Sequence, residues 1–144
     1  MKSTKNYQFN TNINNKSTIL VIDDNPTNLS LAATSLEDGG FNVLIASDSL
    51  NGIKRAKFAH PDLILLDILM PEIDGFETCR RLKTDAATQN IPVIFMTGLT
   101  NSEYKVKGFE VGAVDYVTKP IQIEEVLARI NLHLQLYFLT QKLE

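Results

Sequence analysis

Four short apolar runs, each closed by polar residues and separated from the next by a helical pattern, restrict this chain more than any other feature. They are Ile19-Leu20-Val21-Ile22, Val43-Leu44-Ile45-Ala46, Leu63-Ile64-Leu65-Leu66 and Pro92-Val93-Ile94-Phe95-Met96. Their length is that of strands, and their consecutive apolar positions predict strands buried on both faces. A shorter fifth strand is expected over 114–117. Between the runs, Leu29, Ala32, Ala33 and Leu36 recur at helical spacing until Gly39-Gly40. Leu50, Ile53 and Ala56 follow at three-residue steps before His60-Pro61. A helix from about Gly75 carries Phe76, Cys79 and Leu82, with Arg80, Arg81 and Lys83 near its end, where the helix dipole favours cations. Thr100 with Glu103 reads as a capping box for a helix that Gly112 ends, and a last helix runs from about Ile121. Strand and helix alternating in this way predict right-handed parallel βαβ units. The compact solution is an α/β fold, a doubly wound five-stranded parallel sheet in the order 2-1-3-4-5.

The bulk numbers narrow the function without naming it. With 144 residues, 44% apolar and 22% charged, the chain has the makings of one globular domain. A net charge of −3 gives no general attraction to nucleic acid or anionic membrane. Cys79 is the single cysteine, so neither an internal disulfide nor a cysteine metal cluster can form. No apolar stretch reaches bilayer length, and the N-terminus lacks the apolar run of a secretory signal. A cytoplasmic protein is the expectation. Residues 1–17, rich in Asn, Lys, Ser and Thr, bury too little surface to offset their ordering entropy and are expected to form a tail. The folded domain is expected over 18–134, with 135–144 as an extension of the last helix.

In an open parallel sheet, ligands bind beyond the C-terminal ends of the strands, where the strand order reverses. Here that point lies between strands 1 and 3. Asp23-Asp24 and Asp67 leave those strands, Thr97 leaves strand 4 and Lys119 follows strand 5. Three neighbouring carboxylates repel one another and call for a cation; hard oxygen ligands suit Mg²⁺, which readily bridges to a phosphate. A carboxylate is also a phosphoryl acceptor. In-line transfer then depends on neutralising the equatorial oxygens, which an ion, the Lys119 ammonium and the Thr97 hydroxyl can do between them.

These residues sit in strings that resemble the receiver domains of bacterial response regulators. The strings are Ile19-Leu20-Val21-Ile22-Asp23-Asp24-Asn25-Pro26, Pro61-Asp62-Leu63-Ile64-Leu65-Leu66-Asp67, Met70-Pro71 with Asp74-Gly75, Pro92-Val93-Ile94-Phe95-Met96-Thr97, and Gly112-Ala113 with Asp115-Tyr116-Val117-Thr118-Lys119-Pro120. The resemblance covers about 18–136 and implies a flavodoxin-like three-layer sandwich. It implies that Asp67 is the phospho-acceptor, that Asp24 binds Mg²⁺ (or Mn²⁺) directly, that Asp23 acts largely through a metal-bound water, and that the Leu69 backbone carbonyl completes the protein ligands. It implies that Thr97 and Lys119 grip the phosphoryl oxygens, that Lys119-Pro120 is cis, and that Tyr116 turns inward on activation. The implied donor is a histidine kinase or a histidine phosphotransfer protein. Such a domain catalyses only its own phosphorylation and dephosphorylation and is not otherwise an enzyme. Leu69 and Leu99, each two residues past a site residue, cannot orient a water, so a long-lived aspartyl phosphate is expected.

Plainer readings accompany each residue. Asp23 and Asp24 also suit a turn and helix cap; Tyr116 also suits packing at an edge strand. Lys119 also suits a solvated charge and Thr97 a strand-end hydroxyl. Cys79 reads as a packing residue, and His60 and His133 as structural or solvated. Two other functions compete: a phosphohydrolase with an Asp nucleophile, which would want a second acid where Leu69 stands, and an interaction module that never takes phosphate. In the last helix, Ile123, Val126, Leu127, Ile130 and Leu134 suit packing on the sheet, while Leu132, Leu136, Leu139 and Leu143 repeat at 4-3-4 spacing. That second stripe predicts a homodimer, or a helical linker to a C-terminal output domain outside this chain, against the plainer alternative of extra packing on the same domain. No DNA-binding element is visible.

Overall fold

The structure is a computed structural model and describes residues 17–98 and 102–143. Residues 1–16 of the expected tail, together with Leu99 and Thr100, lie outside the described residues. Among the described residues, five strands, β1 (Thr18–Ile22), β2 (Asn42–Ala46), β3 (Leu63–Asp67), β4 (Val93–Thr97) and β5 (Asp115–Thr118), alternate with five helices, α1 (Pro26–Asp38), α2 (Ser49–Ala59), α3 (Gly75–Lys83), α4 (Ser102–Glu110) and α5 (Ile123–Leu143). All the pairings are parallel and the sheet order is β2-β1-β3-β4-β5. The doubly wound sheet expected from the apolar runs is therefore the fold observed.

Alternation along the strands divides the core into two layers. Ile19, Val21, Leu63, Leu65, Ile94 and Met96 face α1 and α5, meeting Leu29, Leu36, Val126, Ile130 and Leu134. Leu20, Ile22, Ile64, Leu66, Val93 and Phe95 face the other way, meeting Ala56, Phe76, Cys79 and Leu82. The central strands β3 and β4 are buried throughout, so truncating one of the β3 leucines should cost about 3 kcal/mol. The start of the sheet is fastened by a reciprocal pair: the Thr18 N–H donates to the Asp62 carboxylate at 2.8 Å, and the Asp62 N–H donates to the Thr18 carbonyl at 2.8 Å. Ser17 belongs to this fastening; it is buried and its carbonyl accepts from the Asn42 N–H at 3.0 Å.

One helix packs differently from the expected stripe. In α2 the residues against the sheet are Ser49, Gly52 and Ala56, while Leu50 is 58% exposed and Phe58 91% exposed. A Cβ on Gly52 would collide with the Ile22 side chain, so the helix approaches β1 too closely for large residues on that face. Spacing alone favoured Leu50 because it cannot see how near the helix axis lies.

Candidate functional site

Five of the residues singled out by sequence, Asp23, Asp24, Asp67, Thr97 and Lys119, converge where β1, β3, β4 and β5 end. The short loop after β1 carries Asp23, whose carboxylate accepts the Asn25 N–H at 3.0 Å. Asn25, not either aspartate, is the N-cap of α1, accepting the Asn28 N–H at 3.0 Å. The capping role thus leaves Asp24 unused, and its side chain is exposed beside the crevice. Asp67 is the last residue of β3 and only 5% exposed. Its loop is held from below by α3: the Gly75 N–H donates to the Ile68 carbonyl at 2.7 Å, and a Cβ on Gly75 would strike the Asp67 carbonyl oxygen. Glycine at the start of α3 is therefore what lets Asp67 sit where it does.

Lys119 closes the arrangement from β5. Its N–H donates to the Thr97 carbonyl at 2.8 Å, and its ammonium donates to Asp23 Oδ2 at 2.9 Å and to Asp67 Oδ1 at 3.1 Å. The Lys119–Pro120 peptide is cis. Thr97 ends β4, is buried, and lines the same crevice, as does Leu69, which is 61% exposed.

The electrostatics are unbalanced. One oxygen from each of Asp23, Asp24 and Asp67 lies within 4.8 Å of the others, and the ammonium of Lys119 is the single cation bonded among them in the described residues. Burial pushes the Asp67 carboxyl up to about 6, the neighbouring Asp23 adds to the rise, and Lys119 only partly offsets it. Burial pulls the Lys119 ammonium down, but its bonds to Asp23 and the charge of Asp67 outweigh that, so its net shift is upward. The two directions agree on one physical statement: Lys119 stays charged, and one ammonium is too little for three carboxylates.

Such an all-oxygen donor set, open to solvent on one side, fits Mg²⁺ or Mn²⁺, which take carboxylate ligands and keep several waters. Tyr116 stands apart on β5. Its ring is half-buried, packs edge-on against Phe109 at 6.0 Å between centroids, and lies under the Lys105 ammonium at 4.8 Å. Thr97, Tyr104, Gly108 and Tyr116 line a small void beside it.

The model of the family described as Response regulator receiver domain matches residues 19–131. The chain belongs to that family. The receiver is 44% identical over 113 residues to the DNA-binding dual master transcriptional regulator RpaA of Synechocystis sp., covering 78% of this chain and 47% of RpaA. It is 42% identical over 113 residues to protein PilH of Pseudomonas aeruginosa, covering 78% of this chain and 93% of PilH. A probable cyclic di-GMP phosphodiesterase of Vibrio cholerae is 40% identical over 118 residues, which is 82% of this chain and 26% of that protein. The chain therefore spans about half or less of the length of some curated relatives and nearly all of another. Among solved structures, a putative response regulator from Chloroflexus aurantiacus superposes with a TM-score of 0.79 at 29% identity, over 83% of this chain and 98% of that one. The Vibrio cholerae chemotaxis protein CheY4 does so with a TM-score of 0.77 at 28% identity, over 80% and 96%.

A second polar cluster in the receiver escaped sequence reasoning. Asp115, 8% exposed, accepts two bonds from Arg129 Nη1 at 3.0 and 2.8 Å and meets His133 Nε2 at 3.0 Å. Its carboxylate also accepts the Tyr116 N–H at 2.8 Å. Burial would raise the Asp115 carboxyl, yet the bonds from His133 and Arg129 prevail and its net shift is downward. The partners lie on a different element, 14 and 18 residues away, where no local spacing rule reaches.

Proposed function

We propose that this receiver accepts a phosphoryl group on Asp67 in a Mg²⁺-dependent reaction, from a histidine kinase or a histidine phosphotransfer protein in the cytoplasm, and that the modification switches its binding to a partner or output domain. The observation that carries this reading is the excess of carboxylate over cation where the buried Asp23 and Asp67 meet the exposed Asp24. A divalent cation would offset that excess and, together with Lys119, would hold the added negative charge of an incoming phosphoryl group.

Asp23, Asp24, Asp67 and the Leu69 carbonyl would hold the ion, Asp23 largely through water; when bound, the ion neutralises charge on a phosphoryl oxygen. In its ionised form Asp67 can attack. One of its oxygens bonds to phosphorus as the bond from phosphorus to the donor imidazole breaks, and the imidazole leaves neutral after taking a proton from solvent. Lys119, already within hydrogen-bond reach of Asp67, turns its ammonium to a second phosphoryl oxygen, and the Thr97 hydroxyl donates to a third. Drawing Thr97 toward the phosphoryl group opens space next to Tyr116, whose ring then turns inward and changes the surface of α4 and β5. Hydrolysis reverses the state: water attacks phosphorus, the bond to Asp67 breaks, and inorganic phosphate leaves.

The chain's own catalysis ends there, since the position two past Asp67 is Leu69 and offers no second acid. On α5, Leu132, Leu136 and Leu139 are each at least half exposed on the face opposite Val126, Ile130 and Leu134. That second stripe supports a helical partner for the last helix, either another copy of the receiver or the continuation toward an output domain.

The experiment is titration with beryllium fluoride, an acyl-phosphate analogue, in the presence and absence of Mg²⁺. Saturable binding that needs both Mg²⁺ and Asp67, with changed ring signals from Tyr116, is expected. Equal binding by Asp67→Asn would remove the phospho-switch reading and leave an interaction module.

A further inference from the structure

The outer edge of the sheet offers a second interaction surface, remote from the charge problem at Asp67. In β2, the Asn42 N–H is bonded to Ser17 and the Ala46 carbonyl to the Asp23 N–H. A parallel ladder uses alternate residues, so Asn42, Leu44 and Ala46 serve β1 while Val43 and Ile45 turn their N–H and C=O groups to the open edge. Beside this edge α2 presents one face along its length: Asn51, then Lys54 and Arg55, then Phe58. Together with Ile45, 44% exposed, and Phe58, 91% exposed, they border a groove that runs beside the β2 edge, which has no further strand on it among the described residues. Among the described residues, the charged side chains lining the groove, Lys54 and Arg55, are both basic.

We infer that this groove docks an extended, acidic-apolar segment of another protein as an added strand on β2. Backbone groups of Val43 and Ile45 supply the ladder, Phe58 and Ile45 take the apolar side chains, and Lys54 with Arg55 take the carboxylates. Charge decides among the occupants. A second copy docking edge to edge would bring both copies' Lys54 and Arg55 toward one seam, where like charges repel. Residues 1–16 of this chain hold Lys2, Lys5 and Lys16 and no Asp or Glu, so they too are of the wrong sign. A single-stranded nucleic acid matches the sign but leaves the strand edge unused. Lysine near an edge also deters unwanted pairing, so selectivity for acidic strands is the property to test.

The probes are a labelled synthetic peptide alternating Glu with Val, Ile and Phe, its counterpart with Lys in place of Glu, and a single-stranded oligonucleotide, each titrated into the intact chain. The acidic peptide is expected to bind saturably and to weaken as salt rises. It should slow hydrogen exchange at the Val43 and Ile45 amides. Binding should fall about tenfold in the Lys54→Glu, Arg55→Glu double variant and also in Phe58→Ser. These three side chains are exposed, so the variants should keep wild-type unfolding curves, and a curve that changed would be replaced by the milder Arg55→Gln and Phe58→Leu. Equal binding of acidic and basic peptides, preference for the oligonucleotide, unchanged exchange at Val43 and Ile45, or self-association abolished by Ile45→Lys would each overturn the proposal.

Discussion

Asp67, which ends β3, and Asp115, which begins β5, are both buried carboxylates, 5% and 8% exposed, yet the fold treats them in opposite ways. Asp115 has a guanidinium on both oxygens, an imidazole, and the next residue's N–H, and its carboxyl is shifted down. Asp67 shares one ammonium with Asp23 and lies close to Asp24, and its carboxyl is shifted up to about 6. The first is a finished interaction that joins β5 to α5. The second is an unfinished one, held by packing around it, and an unfinished charge is what an ion and a phosphoryl group can complete.

The comparison breaks most visibly at Asp115. Asp115→Ala leaves Arg129 and His133 facing a partly buried gap and should cost about 3 kcal/mol in denaturant unfolding. Because the folded carboxyl is shifted down, the wild-type advantage is complete above its ordinary pKa of 3.8 and disappears as pH falls through the lower folded value. A second test adds Mg²⁺. Mg²⁺ at a hundredfold excess over its dissociation constant should raise stability by about 2.7 kcal/mol. Asp24→Asn should lose most of that gain and Asp115→Ala should keep it.

The third prediction runs against intuition. Asp67→Asn, without metal at pH 7, should be more stable than wild type, because it removes a carboxylate whose charged form burial and Asp23 disfavour. Between about pH 4 and pH 6 the folded protein holds a proton on Asp67 that the unfolded chain has released. Wild-type stability therefore falls as pH rises through that window, and the gain from the substitution should vanish below it. Thermal melts of both proteins across pH 3.5 to 7.5 (roughly this window) would read the difference. The smallest effect is kinetic: Leu69→Asn, at the crevice rim, should speed loss of the phosphoryl group by a few-fold, about 1 kcal/mol in the barrier. An unchanged rate would remove Leu69 from the account of lifetime.

The same contrast separates what was legible in the sequence from what was not. Asp67, Asp23, Thr97 and Lys119 stand at the ends of apolar runs, and strand order alone brings strand ends together. Their convergence could be read before any coordinates. The Asp115, Arg129 and His133 cluster depends on the rotation of α5 against β5, which no run or spacing encodes. His133 accordingly looked structural or solvated. Likewise Leu50 fitted a helical stripe, but Gly52 against Ile22 sets a distance at which only small residues face the sheet. Ser17 looked like part of a polar tail, yet its carbonyl bond to Asn42 and its burial tie it to the sheet.

The most direct measurement of the central claim is intact mass after incubation with Mg²⁺ and acetyl phosphate, run beside Asp67→Asn and with a chelator. The account predicts a gain of one phosphoryl group that is lost in the variant and lost again when the cation is removed. An equal gain in Asp67→Asn, or no gain in the wild type, would contradict it.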